Sequence, residues 1–403
     1  MTDLPFLDIT APGFSTRGPE MQAARAAHWC ARTPLGLAVL RHRQAGLILR
    51  DRRLRQGSYA WPDTPGLEGS FADFWRRSII SMEGPDHKAL RRVAMAALAP
   101  DFILSLTDHF TAAARELVGG VRDVPTFDFI ERISEPFAGR AITALLGMED
   151  EQADWLALQA STLGKGMGLD AKRFEDQVNA ATDALMDLAR DLIARAQTGR
   201  DKTSFVARAV AEGGLSDEAL QDLVVISIFG GVDTTRAQLA FAMELFAAHP
   251  GQWTRLRETR DRVPQAVEEI IRTRPTTTWS TREALEDLEV EGVGIEAGET
   301  VHIWVNATGT DPAIDASNGF DVFADRKVHF GFGGGAHHCL GQFVARTDMA
   351  CALNVLLDTW AGVQVSGTPT YLPDSGNTSP LSFEIRPEWS ALSGRGAAIH
   401  GRD

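Results

Sequence analysis

Apolar residues recur three and four positions apart along most of this chain, which is the spacing of amphipathic helices. The longest such segment begins after Ser216, an N-cap residue type followed by two acidic residues, and continues to the His249-Pro250-Gly251 break. Shorter helices are predicted over residues 85–98, 101–118, 127–146, 150–165 and 171–197. The pattern therefore predicts a mainly helical protein.

The alternating patterns that are typical of strands are confined to the C-terminal half. Residues 288–306 alternate apolar side chains with Gly-containing turns, and Val301, Ile303 and Val305 share one face. Residues 371–385 are predicted to form a C-terminal hairpin. Because no repeat or linker divides the chain, residues 1–403 are expected to form a single domain, mainly α with a small β portion, in which residues 393–403 are a loose tail.

Composition and charge exclude several classes of protein. The net charge of −14 is opposite in sign to that of most nucleic-acid-binding proteins, so no nucleic-acid partner is expected. The apolar run Leu223–Phe229 is far shorter than a membrane span of about 20 residues, and the N-terminus lacks an export signal. Three cysteines are too few for a disulfide framework. These features predict a cytoplasmic protein without a membrane anchor.

The segment Phe332–Gly341, FGGGAHHCLG, carries the most informative chemistry. Its four glycines let the backbone turn tightly and approach a flat ligand closely. Cys339 precedes a predicted helix, whose N-terminal N–H groups stabilise a thiolate that can ligate a metal. The residues alone also allow a Gly-rich loop around a buried cysteine. A zinc site is the weaker alternative, because His337, His338 and Cys339 are adjacent and lack a CxxC or HxxxH partner.

This segment resembles the haem-binding signature F-G-x-G-x-H-x-C-x-G of the cytochrome P-450 family in every fixed position. The matching residues are Phe332, Gly333, Gly335, His337, Cys339 and Gly341. The resemblance extends over about residues 30–385 and implies a mainly helical single domain shaped like a triangular prism. It also implies a bound haem b (iron protoporphyrin IX), with the Cys339 thiolate as the axial metal ligand.

A second motif, Phe229–Thr235 (FGGVDTT), lies midway along the long predicted helix. Glycine costs about 1 kcal/mol in a helix interior, and buried polar groups need partners, so this sequence is unusual there. From the residues alone it is also consistent with a kink solvated by one internal water. The segment resembles the oxygen-activation site of the family. That resemblance implies that Asp233 is an acid in proton delivery and that the Thr234 hydroxyl lies beside bound dioxygen.

Charged pairs at helical spacing add two further family features. Glu269 and Arg272 are three apart and match E-x-x-R, a spacing that ordinary surface pairs share. The resemblance implies that this pair is structural rather than catalytic. One departure is Ala324, which stands where bacterial members commonly have an arginine.

The other pair, His87 and Arg91, is four apart, so both side chains can face one anion or form a solvated cationic face. The resemblance implies that they bind the haem propionates. Arg282 and His337 are implied as further propionate ligands, since guanidinium geometry suits carboxylates.

The resemblance implies a monooxygenase that activates dioxygen and takes two electrons from outside the chain. A ferredoxin or flavodoxin with an NAD(P)H-dependent reductase is the expected electron source. An acidic carrier is predicted to dock on basic residues near Cys339, namely Lys88, Arg92, Arg274 and Arg346. A peroxide-using member of the family and a haem sensor or carrier are the alternatives, and the presence of Asp233 and Thr234 argues against both.

The substrate is predicted to be a small to medium apolar organic molecule that is hydroxylated or oxidatively dealkylated. The distal pocket is expected to draw on residues 57–80, the long helix, the segment after Arg272 and the C-terminal hairpin. The candidate pocket residues are Phe71, Phe74, Trp75, Phe229, Gly230, Trp279 and Leu381.

Overall fold

The computed structural model describes residues 4–11, 13–314, 319–372 and 376–390. Helices dominate these ranges. Their bounds are α1 Pro19–Ala27, α2 His42–Ile48, α3 Ser70–Arg77, α4 Gly84–Ala97, α5 Pro100–Ser105, α6 Thr107–Gly120, α7 Glu135–Leu146, α8 Ala153–Gly164, α9 Glu175–Gln197, α10 Phe205–Glu212, α11 Asp217–Ala248, α12 Pro250–Glu258, α13 Val263–Thr273, α14 Val305–Gly309 and α15 Gln342–Thr359. None of the helices in these ranges combines the length and the apolar character that a membrane crossing requires.

The strands are short and belong to four small sheets. Their bounds are β1 Cys30–Thr33, β2 Gly36–Val39, β3 Leu54–Gln56, β4 Phe127–Asp128, β5 Trp279–Ala284, β6 Leu288–Val290, β7 Val293–Ile295, β8 Thr300–Trp304, β9 Trp360–Val365, β10 Thr370–Tyr371, β11 Pro380–Ser382 and β12 Glu384–Trp389. The largest sheet has the order β1-β2-β8-β5-β3, in which only β2 and β8 are parallel. The others are β4-β12-β9, β10-β11 and β6-β7.

Helix α11 is the central element. The hydroxyl of Ser216 accepts a hydrogen bond from the N–H of Ala219, so the predicted N-cap is confirmed, and the helix extends over 32 residues. Its N-terminal half, up to Val232, packs in one hydrophobic core with α3, α4, α8, α9 and α10. Its C-terminal half, from Leu239, packs in a second core with α6, α12, α13 and α15. The Gly-Asp-Thr segment therefore lies where the two cores meet.

The structure corrects three details of the predicted elements. Residues 127–128 form strand β4 instead of continuing a helix, because they pair with β12. Val305 begins α14 rather than extending the face of β8. Ile385 of the predicted hairpin belongs to β12, which pairs with β9 and β4, while β10 and β11 pair with each other. The predicted tail, residues 393–403, lies outside the described residues.

Candidate active site

A cavity of about 470 Å³ separates the middle of α11 from the loop that precedes α15. Phe229, Gly230 and Thr234 line its α11 side. The loop side is lined by Phe332, Gly333, Cys339, Leu340 and Gly341. Two motifs about a hundred residues apart in the chain are thus brought to opposite walls of one chamber, which has the size range of small-molecule sites.

The loop before α15 depends on glycine for its shape. Gly333 and Gly335 have φ angles of 71° and 69°, a left-handed region that other residues rarely adopt. A Cβ at Gly335 would also lie 2.4 Å from the carbonyl oxygen of Leu49 at the end of α2. The Cys339 N–H donates to the Phe332 carbonyl at 2.8 Å, which closes the turn. This geometry places Cys339 at the cavity wall, three residues before α15.

Cys339 is half-buried, and its surroundings shift the pKa of its thiol in two directions. Burial raises the pKa of the thiol. The Gly341 N–H, which bonds to the sulfur, and the positive charges of Arg346 and Arg91 lower the pKa. Arg346 lies 4.4 Å from the ring centroid of Phe332 and is itself paired with Glu268 at 2.5 Å. In the described residues no cluster of three or more His, Cys, Asp or Glu side chains could hold a metal ion, so the zinc alternative lacks its donor set.

His87, Arg91 and His337 line one side of the cavity together. The His87 and His337 rings stack with centroids 4.2 Å apart, and burial lowers the pKa of both. The Nε2 atom of His87 is buried and has no hydrogen-bond partner in the described structure. His337 Nε2 lies 3.1 Å from Glu83 Oε1, and Arg91 donates to the His338 carbonyl at 2.7 Å.

Arg282 lies behind this wall rather than on it. Its guanidinium donates to Gln56 Oε1 at 3.0 Å and to the Thr281 carbonyl at 2.8 Å. It is only 4% exposed and is not among the described residues that line the cavity. Its positive charge still acts on His337, where it contributes to the lowered pKa.

The polar residues of the α11 motif have different environments. Thr234 lines the cavity and its hydroxyl donates to the Gly230 carbonyl one turn earlier. Asp233 is buried and ion-paired with Arg236 at 2.8 Å, outside the cavity lining. A Cβ at Gly231 would lie 2.7 Å from Ile142 Cδ1, so glycine there permits the close approach of α7. The packing of α7 against α11 thus accounts for glycine at position 231.

Glu269 and Arg272 form a buried pair, each 2% exposed, rather than a surface pair. Two hydrogen bonds of 2.6 and 2.7 Å join them, and Arg272 also donates to the carbonyls of Gly309 and Gly319. Arg326 donates a further hydrogen bond to Glu269 at 3.1 Å. Arg326 thus pairs with Glu269 from two residues beyond Ala324, the position where bacterial members commonly have an arginine. This contact was not predicted from the sequence.

Four of the predicted pocket residues line the cavity, namely Trp75, Phe229, Gly230 and Trp279. Phe71 and Phe74 are not among the described residues that line it, and both pack in the core around α3. Leu381 is likewise absent from the described lining, and its side chain is 51% exposed on β11. A polar group of lining residues was not predicted from the sequence: Gln238, Thr276 and Thr277. The two threonines belong to a run of three that follows α13, which is a signal in the sequence; Gln238 on α11 has none.

Comparisons with known proteins show the family to which the chain belongs. The family model for cytochrome P450 matches residues 141–363. Luteothin monooxygenase of Streptomyces thioluteus is 34% identical, over 95% of this chain and 96% of that protein. Nocardicin C N-oxygenase of Nocardia uniformis subsp. tsuyamanensis is 28% identical, over 92% of this chain and 94% of that protein.

The solved structures show the same fold. P450BioI, in complex with an acyl carrier protein ligated to hexadec-9Z-enoic acid, matches with a TM-score of 0.84 over 91% of this chain and 97% of that chain, at 23% identity. The predicted fold class and family are confirmed. The chain belongs to the cytochrome P450 family and is a monooxygenase that uses haem b and dioxygen.

Proposed function

We propose that this chain inserts one oxygen atom into a small to medium apolar organic substrate, by hydroxylation or oxidative dealkylation. The observation that carries the proposal is the placement of the Cys339 thiol and the Thr234 hydroxyl on opposite walls of one cavity. The remaining walls are largely apolar and include Trp75, Ile79 and Phe229. Apolar walls with few polar groups favour apolar ligands.

The loop side of the cavity fits a flat haem with a thiolate ligand. Cys339 would ligate the iron, and Phe332, Gly333 and Gly341 would form the surface on which the ring packs. When bound, haem supplies the redox chemistry that activates dioxygen. The protein positions the reactants, supplies protons and excludes water.

The His87 side of the cavity fits the two propionates. His87 has a buried nitrogen without a partner, and Arg91 and His337 lie on the same wall. A carboxylate there would accept hydrogen bonds from these groups. Arg282 would act as a positive charge behind His337 rather than as a direct contact.

Thr234 and Asp233 are the residues that we assign to proton delivery. The Thr234 hydroxyl donates to Gly230, which holds the side chain at the cavity wall and leaves its oxygen able to accept a hydrogen bond. Asp233 Oδ1 is held by Arg236. Before it can pass a proton to the Thr234 hydroxyl, the Asp233 carboxylate must break the ion pair with Arg236 and take up a proton from solvent. Arg236 is therefore a positioning residue for Asp233.

Electrons are proposed to come from an external ferredoxin or flavodoxin with its NAD(P)H-dependent reductase, in the cytoplasm. The predicted basic docking residues need revision, because three of them are neutralised by ion pairs. Arg92 pairs with Glu212, Arg274 with Glu244, and Arg346 with Glu268. Lys88 is exposed and forms no ion pair with any described residue.

The end of α2 offers unpaired positive charge next to the cysteine loop. Leu49 contacts the positions of Gly334 and Gly335, so the residues after it lie next to the loop. Arg50 and Arg52 are exposed and form no ion pair within the described ranges. We therefore propose that an acidic carrier docks on Arg50, Arg52 and Lys88.

The proposal is tested by the spectrum of the reduced protein with carbon monoxide. Thiolate ligation by Cys339 gives a strongly red-shifted Soret band, and Cys339→His should abolish it. Cys30→Ser and Cys351→Ser are matched controls that should retain the band, since neither residue lines the cavity. A red-shifted band in Cys339→His would overturn the assignment.

A further inference from the structure

Gln238, Thr276 and Thr277 form a polar corner of the cavity, where three separate segments meet. The segments are α11, the stretch after α13 and the turn at residues 376–378. Gln238 Nε2 donates to the Arg274 carbonyl at 2.8 Å, which joins the first two. The Thr378 N–H donates to the Thr276 carbonyl at 2.8 Å, which joins the last two. The corner is therefore held by hydrogen bonds independent of any ligand.

The three side chains have unused hydrogen-bonding capacity. In a glutamine side chain only Nε2 can donate a hydrogen bond. The bond from Gln238 Nε2 to the Arg274 carbonyl therefore fixes the orientation of the amide and leaves Oε1 as a free acceptor. Within the described ranges, Gln238 Oε1 and the hydroxyls of Thr276 and Thr277 make no hydrogen bond, although Gln238 is 5% and Thr276 8% exposed. Buried polar groups are normally paired, so a ligand group is the natural partner.

Several other polar side chains of the cavity have already used their donors. The indole N–H of Trp61 donates to the Gly166 carbonyl at 2.8 Å, and that of Trp75 to the Ser58 carbonyl at 2.7 Å. The Ser227 hydroxyl donates to the Leu223 carbonyl at 2.7 Å. These residues present apolar surface to a ligand, in contrast with the polar corner.

The corner has a defined place relative to Thr234. Gln238 is four residues after Thr234 on α11, so it lies on the same helix face about 6 Å further along the axis. The apolar lining residues Phe229, Ile226 and Leu223 extend in the opposite direction. A ligand that fills the cavity therefore meets polar groups on one side of Thr234 and apolar groups on the other.

We propose that the substrate carries an uncharged hydrogen-bond donor, a hydroxyl or an amide N–H, which binds the polar corner. Its apolar body extends along α11 towards Leu223. A carboxylate is disfavoured, because Gln238 Oε1 accepts only and no cationic side chain lines the corner among the described residues. This inference rests on the proposed function, in which the reaction takes place beside Thr234.

The test compares three probes of one shape: butylbenzene, 4-phenylbutan-1-ol and 4-phenylbutanoate. Their affinities for the holoenzyme are measured by equilibrium dialysis and by the haem spin-state shift. Gln238→Leu and Thr276→Val should each weaken binding of the alcohol about three- to tenfold, the effect of one neutral hydrogen bond. Both variants should leave the affinity for butylbenzene within about twofold of the wild-type value. The carboxylate should bind the wild-type protein more weakly than the alcohol does.

Two controls separate the outcomes. Ser227→Ala removes a cavity hydroxyl that is already hydrogen-bonded to a backbone carbonyl. It should therefore change the affinities for the alcohol and for butylbenzene by the same factor. Thr276→Val leaves the bond between Gln238 and Arg274 intact, so it tests the corner even if Gln238→Leu disturbs the fold. The inference is overturned if neither Gln238→Leu nor Thr276→Val selectively weakens binding of the alcohol. It is also overturned if the alcohol does not bind the wild-type protein. Either result, obtained with a protein that shows the red-shifted carbon monoxide band, would leave the proposed function standing.

Discussion

Asp348→Asn should change the pH dependence of stability in a direction that the structure specifies. Asp348 lies on α15, nine residues after Cys339, and is 1% exposed. Its Oδ2 accepts a hydrogen bond from Thr235 at 3.2 Å, while its Oδ1 has no partner in the described structure. Burial raises the pKa of this carboxyl from 3.8 to about 8.

The sign follows from proton binding in the two states. Between pH about 4 and pH about 8 the folded protein holds a proton at Asp348 that the unfolded chain has released. Folding stability from this group therefore falls as pH rises, by up to about 1.4 kcal/mol per pH unit, and the fall ends above the folded pKa. Across the window the loss is on the order of 5 kcal/mol.

Asp348→Asn removes this titration. The stability of the variant relative to the wild type should therefore increase from pH 5 to pH 8. For a chain of 403 residues, 1 kcal/mol corresponds to roughly 1 °C in Tm. The difference in Tm between the variant and the wild type should therefore change by a few degrees between pH 5 and pH 8. The assay is thermal unfolding of both holoenzymes at half-unit pH steps.

Asp176→Asn is the matched control, because Asp176 is exposed on α9 and its loss should give a Tm difference that is flat with pH. A flat difference for Asp348→Asn as well would refute the reasoning. It would mean that the carboxyl ionises in the folded state near its ordinary pKa.

Three further outcomes are expected. Thr234→Ala should keep substrate binding and divert reducing equivalents to hydrogen peroxide, measured as peroxide formed per NADH consumed, because the hydroxyl at the cavity wall is lost. Glu269→Gln should lower the free energy of unfolding by about 3 kcal/mol in denaturant titrations, because it leaves the Arg272 charge buried without its counter-charge. Charge reversal at Arg50 and Arg52 should slow reduction by an acidic ferredoxin severalfold at 0.1 M salt and little at 1 M, where the Debye length falls to about 3 Å, as measured by stopped flow.

Each of these outcomes has a control or a contrary result. Unchanged coupling of NADH to product in Thr234→Ala would contradict its assigned role. Glu116→Gln breaks an exposed pair with Arg140 and should lower the free energy of unfolding by less than about 1 kcal/mol. If Glu269→Gln lowers it by no more than that, burial does not strengthen the pair of Glu269 with Arg272. Arg200→Glu makes the same charge change on the exposed connection after α9. If it slows reduction as much as reversal at Arg50, the carrier docks elsewhere.

Features encoded within a few neighbouring residues were predictable from the sequence. The Ser216 cap and the 32-residue helix that follows it were confirmed, because an N-cap and a helical apolar period are local properties. The segment from Phe332 to Gly341 is similarly self-contained. Two of its glycines, Gly333 and Gly335, adopt positive φ angles that few other residues tolerate, so the residue types themselves indicate the shape of the loop.

Features that depend on which elements pack together were decided only by the tertiary structure. Phe74 and Trp75 are adjacent on α3 and both pack in the core, yet only Trp75 also lines the cavity, a difference set by the position of neighbouring helices. Arg92, Arg274 and Arg346 looked like free charges until the fold brought a glutamate to each. The polar corner joins Gln238 to a segment 36 residues away, through a hydrogen bond to a backbone carbonyl. A backbone carbonyl is the same at every position of the chain, so no residue pattern could have indicated that contact.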